Sequence, residues 1–285
     1  NDTVHLTGAD GQTYVLSASL DAVTSAVHVD GLSAPIQIDS TEDDEDTLEL
    51  TGGDRDDSLT ASSDLSNEII VELRGAGGND VLSGGDDLEG GSGDDLLQQA
   101  YVNANVAGDA GEDTIVVGSG NITIDGGADT DTMVVRGTSS ADVIDIQQTS
   151  DTALTHTING SVETITLVSG TVEALRLEAG AGADVMRVEH DDSLVATPAL
   201  SLRVEVDGGS PDANDRLAVV DDGQGDLVLH RIDVDGSSGT VNVGTLSTVE
   251  YDGVEQLTIT PLNDITAATG TTDSDGRLVV FKNDG

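Results

Sequence analysis

The 285-residue chain sets 55 acidic side chains against 10 basic ones, a formal net charge of −45, and contains no cysteine, no tryptophan, three tyrosines and one phenylalanine. Such a charge repels nucleic acid and anionic membrane surfaces and opposes compaction unless cations neutralise it. The missing cysteines exclude disulfides, and no apolar run approaches the ~20 residues of a membrane span.

In chain order, residues 13–17 (TYVLS), 26–29 (AVHV) and 35–38 (PIQI) read as short strands separated by turn residues. An acid run at 40–46 (STEDDED) is expected to be a solvated loop. Asp46-Thr47-Leu48 and Asp57-Ser58-Leu59 introduce an Asp-x-Φ step, where Φ is apolar, and 69–73 (IIVEL) is the next clear strand. Residues 1–74 are therefore taken as N-terminal β-repeats.

Residues 75–135 hold the strongest pattern. Segments 90–98 (GGSGDDLLQ), 108–116 (GDAGEDTIV) and 126–134 (GGADTDTMV) align as G-(G/D)-x-(G/D)-x-D-x-Φ-x. Their aspartates, Asp95, Asp113 and Asp131, recur 18 residues apart, with Leu97, Ile115 and Met133 at Φ. A fixed period marks a unit that returns to the same place in each repeat. The glycines permit the positive-φ turns that such a loop needs. Between two loops lie a short strand at 114–117 (TIVV), a turn at 118–120 (GSG) and a second strand at 121–124 (NITI). Residues 98–107 form the plain side of a coil. The expected fold is all-β, a right-handed parallel β-solenoid with looser β-repeats toward the C-terminus.

GGSGDDLLQ resembles the RTX-type nonapeptide G-G-x-G-x-D-x-U-x at every defined position. Segment 75–83 (GAGGNDVLS) departs from it at Ala76, 84–89 (GGDDLE) is a shortened remnant, and 52–60 (GGDRDDSLT) has Arg55 at the third glycine. The resemblance implies a calcium-binding β-roll or parallel β-helix. Calcium takes six to eight oxygens from carboxylates and carbonyls. The ligands expected between stacked loops are Asp95, Asp109, Asp113, Asp129 and Asp131, with the carbonyls of Gly90, Gly93, Gly108, Gly111 and Gly126. Asp80 is a further candidate, with Asp87 or Asp95. The alternative is that these loops are Asp-Gly turns needing no metal.

From Gly137 the glycines thin out. Segments 155–158, 163–167 and 173–177 alternate polar and apolar residues as half-buried strands do. The signature V-E-x-L-x-Φ occurs at 172–177 and again at 254–259, and Asp142, Asp184 and Asp215 close incomplete or widened glycine loops, at which no metal is expected. This looser style resembles repeats of very large bacterial surface and extracellular proteins. It divides the remainder into degenerate repeats at 136–218 and a continuation segment at 219–285, which includes a strand at 277–282 (RLVVFK). All four segments are expected to form one elongated solenoid belonging to a longer protein.

Catalytic patterns are lacking. There is no G-x-S-x-G elbow in a strand-turn-helix setting and no phosphate loop. The five histidines have no paired spacing for zinc, and the arginines are dispersed among acids. The expectation is a non-catalytic, calcium-stabilised structural module of an extracellular or cell-surface protein. Its partners would be calcium and either copies of itself, head to tail or side by side, or neighbouring repeats of a parent chain. The alternative is a β-helix domain of a secreted carbohydrate-active or glycan-binding protein.

Overall fold

The computed structural model describes residues 2–9, 11–21, 26–32, 35–38, 46–98, 100–118, 120–150, 152–168, 171–189, 202–209, 215–221, 228–232, 238–243, 248–261, 271–272 and 278–279. The described chain is nearly all β-strand, with one 3-10 turn at Ser63–Leu65 and no α-helix. It forms two compact units, residues 1–133 with 166–172, and residues 134–165 with 173–285.

The strands of the first unit begin with β1 (Thr3–Thr7), β2 (Val15–Leu20), β3 (Val27–Asp30) and β4 (Ile36–Ile38). They continue with β5 (Thr47–Thr51), β6 (Ser58–Ala61), β7 (Ile70–Gly77), β8 (Val81–Ser83) and β9 (Asp87–Ser92). Then come β10 (Leu96–Gln98), β11 (Ala104–Ala110), β12 (Thr114–Val117) and β13 (Ile122–Ala128). From β5 successive strands go alternately to two sheets, and each as far as β11 pairs in parallel with the strand two places later. β1 joins β5 and β2 joins β6 in the same manner.

Register carries the apolar side chains into rows. In one sheet Leu50, Leu73, Leu88, Val106 and Ile124 are successive partners, and in the other Leu16, Leu59, Leu82, Leu97 and Ile115. All ten are buried. The Φ positions Leu97, Ile115 and Met133 thus lie in the core, as the repeat predicts. In the first of these sheets the intervening positions include an acidic row, with Glu49, Glu72 and Asp87 aligned across three strands. Arg74 offsets that row through ion pairs with Glu49, Glu72 and Glu89.

The second unit holds most of β14 (Thr132–Arg136), then β15 (Val143–Ser150), β16 (Ala153–Ile158), β17 (Ser161–Leu167), β18 (Ala174–Glu178) and β19 (Val185–Glu189). Further along are β20 (Arg203–Asp207), β21 (Arg216–Asp221), β22 (Val228–Ile232), β23 (Gly239–Val243), β24 (Thr248–Asp252) and β25 (Gln256–Pro261). Two parallel sets recur, β15-β19-β21-β25 and β18-β20-β24.

Two features depart from the sequence reading. Antiparallel excursions interrupt the parallel plan at β2-β3-β4, at β15-β16 and at β22-β23-β24. The second of these ends on Asn159-Gly160, both at positive φ (52° and 87°), the turn chemistry that reverses a strand. The glycine loops are also partly strand, because β11 and β13 run on through 108–110 and 126–128. The acid run at 40–46, apart from Asp46, and most of the 277–282 strand lie outside the described residues.

The rows make a packing prediction. Leu97→Ala, fully buried between Leu82 and Ile115, should cost about 2–5 kcal/mol in denaturant unfolding. Val143→Thr, on an exposed site, should stay within about 0.5 kcal/mol.

Candidate functional site

Each glycine loop turns the chain from one sheet into the other, and its last backbone N–H groups have no strand partner. The structure supplies them from the next repeat. Asp57 N–H donates to Asp80 Oδ1 at 2.6 Å, Asp80 N–H to Asp95 Oδ1 at 2.7 Å, and Asp95 N–H to Asp113 Oδ1 at 2.8 Å. Asp113 N–H donates to Asp131 Oδ1, also at 2.8 Å. Tyr14 N–H begins the series on Asp57 Oδ1. The second unit repeats it, with Asp142 N–H on Asp184 Oδ1 and Asp184 N–H on Asp215 Oδ1, both at 2.7 Å, and Asp215 N–H on Glu255 Oε2 at 2.8 Å. The eight aspartates are at most 3% exposed. They form two buried ladders, one in each unit.

A shallower ladder runs beside the first. Asn79 N–H donates to Asp56 Oδ1, Asp94 N–H to Asn79 Oδ1, and Glu112 N–H to Asp94 Oδ1, at 2.9–3.1 Å. The fifth and sixth loop positions therefore do one job at two depths, side-chain acceptors closing amides that the turn strands.

The first glycine of each loop exists for the carboxylate. A Cβ on Gly75, Gly90 or Gly108 would meet two oxygens well inside 3.0 Å, closer than Cβ atoms approach. One is Oδ2 of the loop's own aspartate (Asp80, Asp95 or Asp113), the other the carbonyl oxygen of the next loop's first glycine (Gly90, Gly108 or Gly126). On Gly126 it would meet Thr171 O and Asp131 Oδ2. Gly93 and Gly111 are at φ 124° and 136°, stacked loop on loop. Asp109 holds the second glycine position at φ 74° and Asp129 the third, equivalent to Gly93 and Gly111, at φ 79°, both with their side chains exposed. Of the expected ligands, Asp80, Asp95, Asp113 and Asp131 are thus joined in one ladder, Gly90, Gly108 and Gly126 line it, and Asp109 and Asp129 lie outside it.

What remains is electrostatic. Oδ2 of Asp80, Asp95, Asp113, Asp184 and Asp215 is buried and has no hydrogen-bond donor. Burial pushes Asp95 up to about 7, helped by the charges of Asp113 and Asp80 and opposed by the bond from Asp80 N–H. Burial likewise lifts Asp80 to about 6 and raises Asp113, Asp184 and Asp215. Asp142 goes the other way. Burial acts on it too, but donation from Thr138 and Asn159 outweighs burial and holds it below the ordinary carboxylate range.

Tyr14 and Glu255, which end the ladders, carry no glycine-aspartate motif and were invisible to repeat matching. Tyr14 takes the aspartate's place over Gly8, and its hydroxyl accepts from Ala9 N–H at 2.8 Å. Elsewhere, His156 is buried on β16 with Nε2 2.9 Å from Glu163. An open groove on the first unit's outer face is lined by acids, Arg74 and Asn105, without an aromatic side chain. Among the described residues no three His, Cys, Asp or Glu side chains converge to hold a metal. Comparison with family models, with curated proteins and with solved structures finds no match.

Two predictions follow from the ladder. Gly108→Ala, at a glycine whose φ is not positive, should destabilise through overpacking by about 3 kcal/mol. Gly11→Ala, where nothing lies within 4 Å, should cost only the left-handed strain of about 1–2 kcal/mol. The second concerns pH. Carboxyls raised in the folded state keep protons that the unfolded chain has lost, so the stability these groups contribute is fully present below about pH 4 and is lost as pH rises to about 7. In chelator, thermal unfolding should therefore occur at a higher temperature at pH 5 than at pH 8.

Proposed function

We propose that the chain is a non-catalytic, calcium-stabilised structural module of an extracellular or cell-surface protein. It is built as a right-handed parallel β-solenoid that forms or extends a fibre, surface layer or adhesin stalk. The observation that carries this reading is the convergence, repeat after repeat, of an unpartnered carboxylate oxygen and a glycine carbonyl oxygen. Two acceptors facing each other in a buried site repel unless a proton or a cation lies between them. The oxygen-only donor set suits a hard cation.

The residues present fit such an ion. Oδ2 of Asp80, Asp95 and Asp113, with the carbonyls of Gly90, Gly108 and Gly126, would hold it, and Asp131 would contribute the next rung. Calcium supplies, when bound, the positive charge that these buried carboxylates lack. The chain's own part is to fix Oδ1 on a backbone N–H, so that Oδ2 stays aimed at the neighbouring loop. Binding then adds to folding stability by mass action, about 2.7 kcal/mol per site at one hundred times the dissociation constant. Outside the cell calcium is plentiful, and there the ladder closes. Self-association or neighbouring repeats would cover open sheet margins such as β1, which is paired on one side among the described residues.

The test is thermal unfolding and calcium titration of the chain and two variants. Millimolar calcium should raise the melting temperature relative to chelator. Asp113→Ala should weaken binding about tenfold or more, and Asp142→Ala should leave it nearly unchanged, because Asp142's oxygens already have donors. Identical melting with and without calcium would overturn the calcium reading.

A further inference from the structure

The ladders contain an internal comparison. At some rungs the chain itself serves both carboxylate oxygens. Asp57 receives Tyr14 N–H on Oδ1 at 2.5 Å and Gly53 N–H on Oδ2 at 2.6 Å. Asp142 receives Asn159 Nδ2 on Oδ1 at 2.6 Å, and Thr138 N–H and Oγ1 on Oδ2 at 2.5 and 2.9 Å. These rungs are complete without any ligand. Asp184 and Asp215 are built differently. Each receives one backbone N–H on Oδ1, from Asp142 and Asp184 respectively, and each keeps a buried Oδ2 with no donor.

We propose that Asp184 and Asp215 form a second cation-binding segment, in the second unit, for a hard divalent ion of the calcium class. The inference rests on the cation reading of the first ladder but concerns a different pair of residues. Both carboxylates are fully buried and stand on successive rungs, roughly 4.8 Å apart as strand spacing dictates. Two unneutralised carboxylates at that distance in a site closed to water cannot both stay charged without a counter-ion. No ion pair with Lys, Arg or His reaches either one among the described residues. Glu255 extends the line, accepting Asp215 N–H, and is itself exposed, which gives the segment a carboxylate at the solvent.

The chemistry of the donors selects the ion. Carboxylate oxygens are hard ligands, which suit a calcium-class ion better than a transition metal. A buried segment also favours calcium over magnesium, which gives up its waters reluctantly. The local sequence marks these loops only as incomplete or widened, at which no metal is expected. Ala179 stands where the first glycine would be, and the loop that ends at Asp215 is longer than the nonapeptide.

The experiment counts bound calcium by equilibrium dialysis, with folding monitored by far-UV circular dichroism. Asparagine is the replacement, because it keeps the acceptor for the rung N–H and places an amide donor where the orphaned oxygen stood. The four-fold variant D80N/D95N/D113N/D131N should still bind calcium, in smaller number than the unaltered chain. D184N/D215N should also lose part of the bound calcium, and the six-fold combination nearly all of it. If the unaltered chain binds calcium and the four-fold variant binds none, the second segment is refuted while the first ladder stands. An unchanged count in D184N/D215N refutes it as well, even if the four-fold variant fails to fold. No calcium on the unaltered chain overturns both readings together.

Discussion

A backbone N–H buried without an acceptor costs about as much as the hydrogen bond it has lost, and every glycine loop in this chain creates such groups where it turns from one sheet into the other. The remedy recurs along both ladders, an aspartate of the next repeat whose Oδ1 takes the amide, with Glu255 Oε2 in that place for Asp215. A bond from a neutral donor to a charged acceptor is worth about 1.5–3 kcal/mol, so each rung ties two repeats more firmly than one ordinary ladder bond. The rung also dictates its surroundings. With the carboxylate turned inward at Asp80, Asp95 and Asp113, the first glycine of the loop has no room for a Cβ, and the pattern G-x-x-x-x-D is the sequence image of that contact; the loop of Asp184 departs from it, opening on Ala179.

The rung is more constant than the repeat length. Residues joined by a rung are 43, 23, 15, 18 and 18 apart along the first unit, and 42, 31 and 40 apart along the second. In two steps of the first unit the surplus chain lies outside the loop. The 23-residue step holds the 3-10 turn at Ser63–Leu65, and the 43-residue step holds β3 and β4. A structure organised by rungs tolerates insertions that a strict period would not. That tolerance explains why the 18-residue period is clear over only part of a chain that keeps one plan throughout both units.

The same arrangement creates a conflict. Turning a carboxylate into a dry interior to serve one amide leaves its second oxygen buried too, and stacking such groups sets like charges on neighbouring rungs. At Asp57 and Asp142 the chain resolves the conflict with its own donors. Asp80, Asp95, Asp113, Asp184 and Asp215 leave it unresolved, and the charge imbalance of the whole chain has a local counterpart there.

Much of this was legible in the residues. The Φ positions, the aspartates and the strand at Thr114–Val117 follow from a short motif with glycine and β-branched residues in fixed places. The direction of the aspartate side chains did not follow, because spacing gives phase and not orientation. Asp109 and Asp129 share the composition of ligands yet serve as backbone at positive φ. The antiparallel excursions were missed for a similar reason: alternation is common to both strand directions, and only Asn159-Gly160 signalled the reversal. Tyr14 and Glu255 replace aspartate by different means, which no consensus could show.

Amide hydrogen exchange at the loop aspartates tests the central claim most directly. If the rungs are the constraint, the N–H groups of Asp80, Asp95, Asp113 and Asp184 exchange as slowly as those of the flanking strands, although they lie in loops. Exchange at those four positions as fast as in an exposed turn would mean that the aspartates do not bind the repeats together, and the account would fail at its base.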